Sequence, residues 1–268
     1  MNLKNRLLNI FKRKKIALVL GGGSARGIAH IGVLKVFQKE EIKFDFVVGT
    51  SIGALIGAFY ALGEDMAKAE EMALGFKVRE SMDVVFPPAM GLIKGARIYG
   101  VIERLVGKKK FSDLKIPMAA VTTDIETGEE VVFSEGPLAG AIMASCSYPG
   151  IVTPQRVNGR LLVDGGIINT VPVSVARRMG ADIVVAVDVG FCVQVGHVSS
   201  IFKVILQAFQ ITGDALSRYQ SMHADIIIRP DLGDIDQLAF ASANIAMQKG
   251  ELAALEKLRE IKKKTKTK

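Results

Sequence analysis

The chain has 268 residues, of which 49% are hydrophobic and 23% are charged. This composition supplies a sizeable hydrophobic core and excludes disorder across the body of the chain. The formal net charge of +8 lies at the two ends, because residues 1–15 carry +6 and residues 249–268 carry +5, which leaves −3 for residues 16–248. A mildly acidic body without a recognised nucleic-acid module argues against binding to nucleic acid.

The first fifteen residues and the tail carry the basic charge. Residues 1–15 place leucine, isoleucine and phenylalanine on one side of a helical projection and mostly polar or basic residues on the other. Such a helix can lie on an anionic membrane surface, where each basic side chain adds about 1 kcal/mol of attraction. A frayed, solubilising terminus explains the same pattern equally well. The basic tail, residues 262–268, is expected to be disordered.

From residue 16 the hydrophobic pattern alternates short strands with helices. It predicts strands at 16–20, 44–48, 118–123, 130–133, 155–157, 160–163, 183–189 and 226–229, and helices at 27–40, 52–62, 138–144, 173–179, 199–223 and 237–261. This alternation predicts an α/β fold with a mostly parallel central sheet and helices on both faces. The body spans residues 16–230, and a helical segment follows at 231–261.

Residues 64–110 interrupt the alternation. They contain no clear strand and are punctuated by Pro87, Pro88 and several glycines. An insertion of this length between sheet strands is typical of a segment that overlies the site. We therefore expect a helical insert that can act as a lid.

Compartment is indicated by cysteine content and hydropathy. Cys146 and Cys192 are too few for a disulfide framework and are predicted to be free thiols. No stretch reaches the roughly 18–20 apolar residues of a membrane span, and the apolar run at 16–20 is shorter than a signal-peptide core of about 7–15 residues. These features predict a cytoplasmic protein, or one held peripherally at the inner face of the membrane.

The sequence Gly49-Thr50-Ser51-Ile52-Gly53 connects a predicted strand directly to a predicted helix. A G-x-S-x-G sequence in this setting is typical of a nucleophile elbow, in which a strained turn exposes the serine and the glycines allow strand and helix to approach. The alternative is a glycine-containing turn in which Ser51 caps the helix.

Glycines 21, 22, 23 and 27 follow the first predicted strand. Their amides can converge on an anion, either the pyrophosphate of a dinucleotide or the oxyanion of a reaction intermediate. The G-x-G-x-x-G spacing is missed by one residue, and the second strand ends in the elbow where a nucleotide site needs an acidic residue. The sequence therefore favours an oxyanion hole.

Asp164 ends an apolar strand and is followed by Gly165 and Gly166. If the sheet is parallel, this carboxylate, the glycine loop and the elbow share the edge at which ligands bind. Asp164 can activate Ser51 as a base, or it can simply cap a turn.

Three histidines offer other bases. A histidine-containing triad would use Asp188 with His197, or Asp164 or Asp188 with His223. None of the histidines lies in a tight glycine loop at a strand end, and His30 is predicted to be packed or to cap a helix. Asp164 acting without histidine is then the leading candidate.

Ordered motifs along the chain together resemble those of the patatin-like phospholipase family, in its bacterial branch. They are residues 21–27 with 29–34, residues 49–53, residues 122–128, residues 144–150, and residues 164–166 with Asn169 and Pro172. The resemblance extends over about residues 16–189. It implies a three-layer α/β/α sandwich and a calcium-independent acyl hydrolase that needs no metal or cofactor.

The resemblance also assigns roles to individual residues. It makes Ser51 the nucleophile, Asp164 the base and the amides of Gly21, Gly22 and Gly23 the oxyanion donors. The motif residues that support them are Arg26, Gly27, Gly49, Gly53, Gly165 and Gly166. Ser147, Tyr148 and Pro149 are expected to shape the wall of the site. Arg26 could orient the loop, receive a lipid phosphate, or pair with a nearby acid or carbonyl.

The expected activity is hydrolysis of fatty acyl esters of phospholipid or lysophospholipid by a membrane-associated enzyme. An apolar groove for the acyl chain could come from residues of the insert, although core packing explains most of them as well: Phe76, Val84, Val85, Phe86, Met90 and Ile93. The alternative is a catalytically silent lipid-binding or regulatory protein on the same fold. A pure binding role needs no nucleophile and base, so the sequence favours the enzyme.

Overall fold

The computed structural model describes residues 13–88, 90–193 and 198–265. Most of the basic N-terminal segment, the last three residues of the tail and His197 lie outside the described residues.

The central sheet contains eight strands among the described residues, in the order β10-β9-β1-β2-β4-β8-β7, with β5 also paired to β4. The strands are β1 (Ile16–Leu20), β2 (Phe46–Thr50), β4 (Met118–Asp124), β5 (Glu130–Phe133), β7 (Gln155–Val157), β8 (Arg160–Asp164), β9 (Ile183–Val187) and β10 (Ile226–Ile228). Strands β10, β9, β1, β2 and β4 pair in parallel, while β5, β7 and β8 are antiparallel. The predicted mostly parallel sheet is confirmed.

Eight helices occur in the described ranges. They are α1 (Ala29–Lys39), α2 (Ile52–Ala61), α3 (Met66–Leu74), α4 (Ala96–Val106), α5 (Leu138–Ser145), α6 (Val173–Arg178), α7 (Ile201–Ser221) and α8 (Ala243–Thr265). None of the described helices is long and apolar enough to cross a bilayer.

The two faces of the sheet have separate cores because successive side chains of a strand point to opposite sides. In β1, Leu18 and Leu20 join the larger cluster, which also contains the buried faces of α1, α2 and α8. Ala17 and Val19 join the smaller cluster with Val173 and Val175 of α6. Helices thus cover both faces, and the predicted three-layer α/β/α architecture is confirmed.

Helix α8 packs directly on α1 through two glycines. A Cβ added at Gly32 of α1 would lie 1.9 Å from the carbonyl oxygen of Met247, and one added at Gly250 of α8 would lie 2.0 Å from that of Ala29. The backbones therefore touch. The helix begins at Ala243, later than the predicted residue 237, since residues 237–242 form turns and a short 3₁₀ segment. It continues to Thr265, so the expectation of disorder is wrong for residues 262–265.

The expectation that residues 64–110 contain no strand is wrong. This insert holds α3, α4 and a short strand, β3 (Gly91–Ile93), which pairs in parallel with β6 (Gly150–Val152) outside the main sheet. A strand of three residues, Gly91–Ile93, is too short to display a period of two, so the hydrophobic pattern gave no strand signal.

Candidate active site

The serine of the elbow occupies a strained backbone position between β2 and α2. Ser51 has φ 56° and ψ −128°, outside the regions that non-glycine residues favour. A Cβ at Gly49 would lie 2.6 Å from the Cα of Ala54, and one at Gly53 would lie 2.3 Å from the oxygen of Leu20. The Ser51 hydroxyl makes no capping hydrogen bond to α2, so the helix-capping explanation of this serine is wrong.

Ser51 and Asp164 are in direct contact. The Ser51 Oγ donates a hydrogen bond to Oδ2 of Asp164 over 2.5 Å. The other carboxylate oxygen, Oδ1, accepts from the amide of Gly166 at 2.7 Å, and the amide of Asp164 donates to the carbonyl of Ser147 at 2.9 Å. Asp164 therefore caps a turn and also contacts Ser51, so the capping role does not exclude a role as base, which stays a prediction.

Strand β8 brings Asp164 to this position although it runs antiparallel to β4. The expectation that Asp164 and the elbow lie at one edge of the sheet holds despite this strand direction. Only the last residues of β4 pair with β8, and Asp164 lies opposite Thr122. Val121, the residue before Thr122 in β4, lies opposite Thr50 of β2, and Thr50 directly precedes Ser51. This register, and not a shared strand direction, places the carboxylate beside the elbow.

Burial controls the ionisation of the site. It raises the pKa of Asp164 to about 6, although the hydrogen bonds from Ser51 and Gly166 act in the opposite direction. Burial and the charge of Asp164 also raise the pKa of Tyr148 to about 12 and that of the Cys146 thiol well above its usual value. At neutral pH, Asp164 is thus mostly ionised with a pKa close to neutrality, while Cys146 stays a protonated thiol.

Ser145 fixes the elbow from behind. Its buried hydroxyl accepts a hydrogen bond from the amide of Ser51 at 2.8 Å and donates one to the carbonyl of Val121 at 2.6 Å. It lies within a motif recognised from the sequence, but no role was predicted for it. The sequence signal that could have indicated this role is a hydroxyl at the end of the apolar helix α5, because a buried polar group needs hydrogen-bond partners.

The glycine loop passes directly against Ser51. A Cβ at Gly22 would lie 3.5 Å from the Cβ of Ser51. The amide of Gly21 donates to the carbonyl of Val187 at 3.0 Å, and that of Gly22 donates to Thr170 at 2.9 Å. Two of the three predicted oxyanion donors are therefore engaged with backbone carbonyls.

Gly23 is the predicted donor that remains available. In the described part of the chain, no acceptor is recorded for the amide of Gly23 or for that of Ser24, and both residues line the cavity above Ser51. The oxyanion role of the loop stays a prediction. Of its three predicted donors, the hydrogen bonding leaves Gly23, and the amide of Ser24 is a further candidate that the sequence did not indicate.

Arg26 has a structural role. Its side chain is buried, and it donates from Nε to the carbonyl of Val189 at 3.0 Å and from Nη1 to the carbonyls of Gly233 and Ile235 at 3.1 and 2.8 Å. The predicted pairing with carbonyls is confirmed, and the guanidinium ties the glycine loop to two distant segments. Gly27 allows the elbow to approach this loop, because a Cβ there would lie 2.0 Å from Cγ2 of Ile52.

The described residues bring no histidine to Ser51. His30 is completely buried and contacts the carbonyl oxygen of Gly21, so its predicted packed position is confirmed. His223 is exposed at the end of α7, where its ring meets Tyr219 edge-on. Asp188 accepts hydrogen bonds from Ser217 and Arg229. His197 lies outside the described residues.

A cavity of about 1010 Å³ opens over the dyad. Most of its wall is apolar and comes from the insert, α2 and α7, including Leu55, Phe76, Ile98, Leu206, Phe209 and Leu216. Of the predicted groove residues, Phe76 and Ile93 line it, whereas Val84, Phe86 and Met90 are exposed. Tyr148 and Pro149 line the wall, as the resemblance implied, while Ser147 is buried behind it.

The contribution of α7 was missed by sequence reasoning, because this helix matches no motif. The wall of the cavity is mostly apolar. Within the described ranges, no group of three His, Cys, Asp or Glu side chains is arranged to hold a metal ion.

Comparisons with known proteins agree with this geometry. A family model described as patatin-like phospholipase matches residues 18–177. "Patatin-like phospholipase domain-containing protein 6" of Mus musculus is 38% identical over 195 residues, which are 69% of this chain and 14% of that protein. "Uncharacterized NTE family protein Mb1092c" of Mycobacterium bovis is 35% identical over 176 residues, 65% of this chain and 49% of that protein.

The fold itself has a solved relative. VipD from Legionella pneumophila superposes with a TM-score of 0.67 at 14% sequence identity, covering 92% of this chain and 67% of that chain. The chain spans between about a seventh and a half of the length of the two sequence relatives. Since the matched residues 18–177 include both Ser51 and Asp164, the resemblance inferred from the motifs is confirmed: the chain belongs to the patatin-like phospholipase family.

Proposed function

We propose that the chain is a serine acyl hydrolase, a carboxylic ester hydrolase that cleaves fatty acyl esters of phospholipid or lysophospholipid through a Ser51–Asp164 dyad. The observation that carries this proposal is the 2.5 Å hydrogen bond from Ser51 Oγ to Asp164 Oδ2, made where both residues line an apolar cavity. Membership in the family supports the lipid substrate class.

The first half-reaction acylates the serine. Asp164 accepts the Ser51 proton while Oγ attacks the carbonyl carbon of the ester, and the carbonyl oxygen becomes an oxyanion. The amides of Gly23 and Ser24 and the N-terminus of α2 are the nearby donors that can stabilise this negative charge. The tetrahedral intermediate then expels the alcohol, which takes the proton from Asp164 and leaves the acyl group on Oγ.

The second half-reaction releases the fatty acid. Asp164, again ionised, takes a proton from a water molecule whose oxygen attacks the acyl carbon. The second tetrahedral intermediate collapses, the proton passes from Asp164 to Oγ, and the free acid leaves. One carboxylate thus serves as base and acid in turn, a role that suits a pKa of about 6.

Cavity shape supports an acyl chain as the bound group. A volume of about 1010 Å³ is at the upper end of the usual range for small-molecule sites, roughly 300–1,000 Å³. Phe76 of the insert and Phe209 of α7 contribute aromatic rings to this wall. A lid function for the insert, a membrane role for the basic ends and a cytoplasmic location stay predictions.

Two substitutions test the dyad. We expect Ser51→Ala and Asp164→Asn each to lower kcat/KM for p-nitrophenyl butyrate by at least about a thousandfold, because the nucleophile or its base is lost. Ser134→Ala, at an exposed serine after β5, is the matched control and should keep full activity. Full activity in either dyad variant would contradict the proposal.

Substrate class needs a separate measurement. The purified protein is incubated with a total lipid extract, and mass spectrometry identifies the species that lose an acyl chain. A fluorophosphonate probe should label Ser51 in the unsubstituted protein but not in Ser51→Ala. Failure to label Ser51 under every lipid condition would favour the catalytically silent lipid-binding alternative.

A further inference from the structure

Two segments at the cavity expose an unusual amount of apolar surface. One is the rim hairpin, the described residues 82–88 and 90–93 of the insert, and the other is the rim helix, residues 201–213 in the first half of α7. Each has residues in the cavity wall: Met82 and Ile93 in the hairpin, and Leu206 and Phe209 in the helix. The exposed parts of both segments are therefore continuous with the mouth of the cavity.

The rim hairpin extends its apolar residues away from the cavity wall. Val85 donates its amide to the carbonyl of Leu92 at 2.9 Å, and Val84 forms an antiparallel bridge with Ile93, so the two arms are paired. Residues 84–93 contain no charged side chain. The hydrophobic side chains of the hairpin that lie outside the cavity wall have exposed fractions of 73% for Val84, 93% for Phe86, 53% for Met90 and 39% for Leu92.

The rim helix also exposes apolar side chains outside the cavity. Leu206 and Phe209 face the cavity, whereas other apolar side chains of the helix face outward, with exposed fractions of 80% for Ile201, 55% for Val204, 49% for Ile205 and 53% for Ile211. Lys203 is the single charged residue between positions 198 and 213. This helix is apolar on its cavity side and largely apolar on its outer side. Exposure of so much apolar surface to water is energetically unfavourable and is typical of an interaction surface.

Basic side chains border this apolar surface. Lys77, Lys94 and Arg97 are exposed beside the hairpin, and Lys77 and Arg97 also line the cavity. Lys77 pairs with Glu80 at 3.2 Å, so these two charges balance each other, and the Asp83 carboxylate accepts the amides of Gly95 and Ala96. Lys94 and Arg97 therefore supply the cationic border. An apolar surface with a cationic border complements an anionic lipid headgroup layer over acyl chains.

We infer that the rim hairpin and the rim helix insert their exposed apolar side chains into an anionic lipid bilayer and seat the cavity mouth on it. The choice of a bilayer as the occupant rests on the proposed function, since acyl-ester substrates of this class lie in bilayers. An acyl chain then passes from the bilayer into the cavity through a continuous apolar path. Its ester can reach Ser51 without crossing water.

Vesicle binding tests this surface without catalysis. The full chain with Ser51→Ala is sedimented with vesicles of phosphatidylglycerol and phosphatidylcholine in equal parts. We expect Phe86→Ser and Ile201→Ser each to weaken binding roughly tenfold, because each removes a large apolar group from the bilayer. Ile245→Ser and Leu252→Ser on α8, with exposed fractions of 53% and 56% and no place in the cavity wall, are the matched controls and should bind normally.

Activity assays on a monomeric ester and on vesicle lipid distinguish this membrane-binding proposal from the proposed Ser51–Asp164 dyad. With Ser51 intact, Phe86→Ser and Ile201→Ser should hydrolyse monomeric p-nitrophenyl butyrate at the unsubstituted rate but vesicle lipid about tenfold more slowly at limiting vesicle concentration. If Ser51→Ala keeps full activity, only the dyad is contradicted. If no variant cleaves either ester, the proposed hydrolase activity is contradicted, and in both cases vesicle binding still reports on the surface.

Several outcomes would overturn the inference. One is normal vesicle binding by both rim variants, and another is binding that is lost only when residues 1–12 are deleted. A third is rim variants that change the oligomeric state in sedimentation velocity and leave vesicle binding intact, which would assign the surface to a second copy of the chain. Equal binding to vesicles of phosphatidylcholine alone would overturn the preference for anionic lipid.

Discussion

The imidazole of His30 donates a hydrogen bond from Nε2 to the carbonyl oxygen of Gly21, 2.8 Å away, at the base of the glycine loop. A carbonyl only accepts, so Nε2 carries the proton. Burial lowers the pKa of His30 to about 4, and the ring is therefore neutral at the pH of most assays. Because the amide of Gly21 is held by Val187, this residue is fixed on both sides, which positions the loop that continues to Gly23.

His30→Ala is expected to misplace the glycine loop. The substitution leaves the Gly21 carbonyl without its imidazole donor and opens a cavity beside it, which should lower the free energy of unfolding by about 1–3 kcal/mol. We expect kcat for p-nitrophenyl butyrate to fall by about tenfold or more with KM little changed, because the oxyanion is stabilised only in the transition state.

The controls for His30 use the other histidine and a conservative replacement. His223→Ala, at the exposed end of α7, should leave both stability and kcat unchanged. His30→Gln, whose amide can donate to the same carbonyl, should recover part of kcat. If His30→Ala lowers the melting temperature but leaves kcat intact, His30 is a packing residue and does not position the loop.

The rate of ester hydrolysis should depend on the ionisation of Asp164. Since the base must be deprotonated and its pKa is raised to about 6, kcat/KM should fall about tenfold per pH unit well below pH 6 and level off above it. His30 does not titrate in this window, because its pKa is lowered to about 4. A pH profile that is flat down to pH 5 would show that Asp164 is not the base.

Asp164→Asn should make the protein more stable at neutral pH while it abolishes activity. The folded pKa of about 6 lies above the usual value of 3.8, so the folded state binds this proton more tightly than the unfolded state. Stability therefore falls as pH rises from about 4 to 6, and the loss persists above pH 6. About two pKa units correspond to roughly 3 kcal/mol at most, which the asparagine avoids.

Thermal unfolding of the two proteins at pH 8 and pH 4.5 measures this effect. The melting temperature of Asp164→Asn should be several degrees higher at pH 8, and the difference should shrink at pH 4.5, where Asp164 is protonated. His30 contributes in the opposite direction, since its lowered pKa reduces stability as pH falls below 6.5, but it does so equally in both proteins. Equal melting temperatures at pH 8 would contradict a raised pKa of Asp164.

Local sequence patterns predicted the parts of the site whose geometry is local. The elbow is one of them, because Gly49 and Gly53 allow the close approach that a strained Ser51 needs, and both glycines are adjacent to it in sequence. The strand at Ile16–Leu20 was predicted with its correct bounds, since a short apolar run before a glycine loop is a strong signal.

Features that depend on distant partners could not be predicted in this way. The antiparallel direction of β8 depends on its pairing with β4, and the loss of Gly21 and Gly22 as free donors depends on Val187 and Thr170, far along the chain. The part of α7 in the cavity wall depends on where the helix packs in the fold, which the periodicity of its own sequence does not reveal.

Gly250→Ala should loosen the contact between α8 and α1 that lies beneath the glycine loop. The new Cβ would lie 2.0 Å from the carbonyl oxygen of Ala29, a backbone atom that cannot move without moving α1, so overpacking outweighs the gain in helix propensity. We expect the free energy of unfolding in urea to fall by about 2 kcal/mol or more. Gly140→Ala in α5 is the matched control, because its Cβ meets nothing within 4 Å, and it should raise stability by about 0.5–1 kcal/mol. Equal effects of the two substitutions would show that the helices are not in backbone contact.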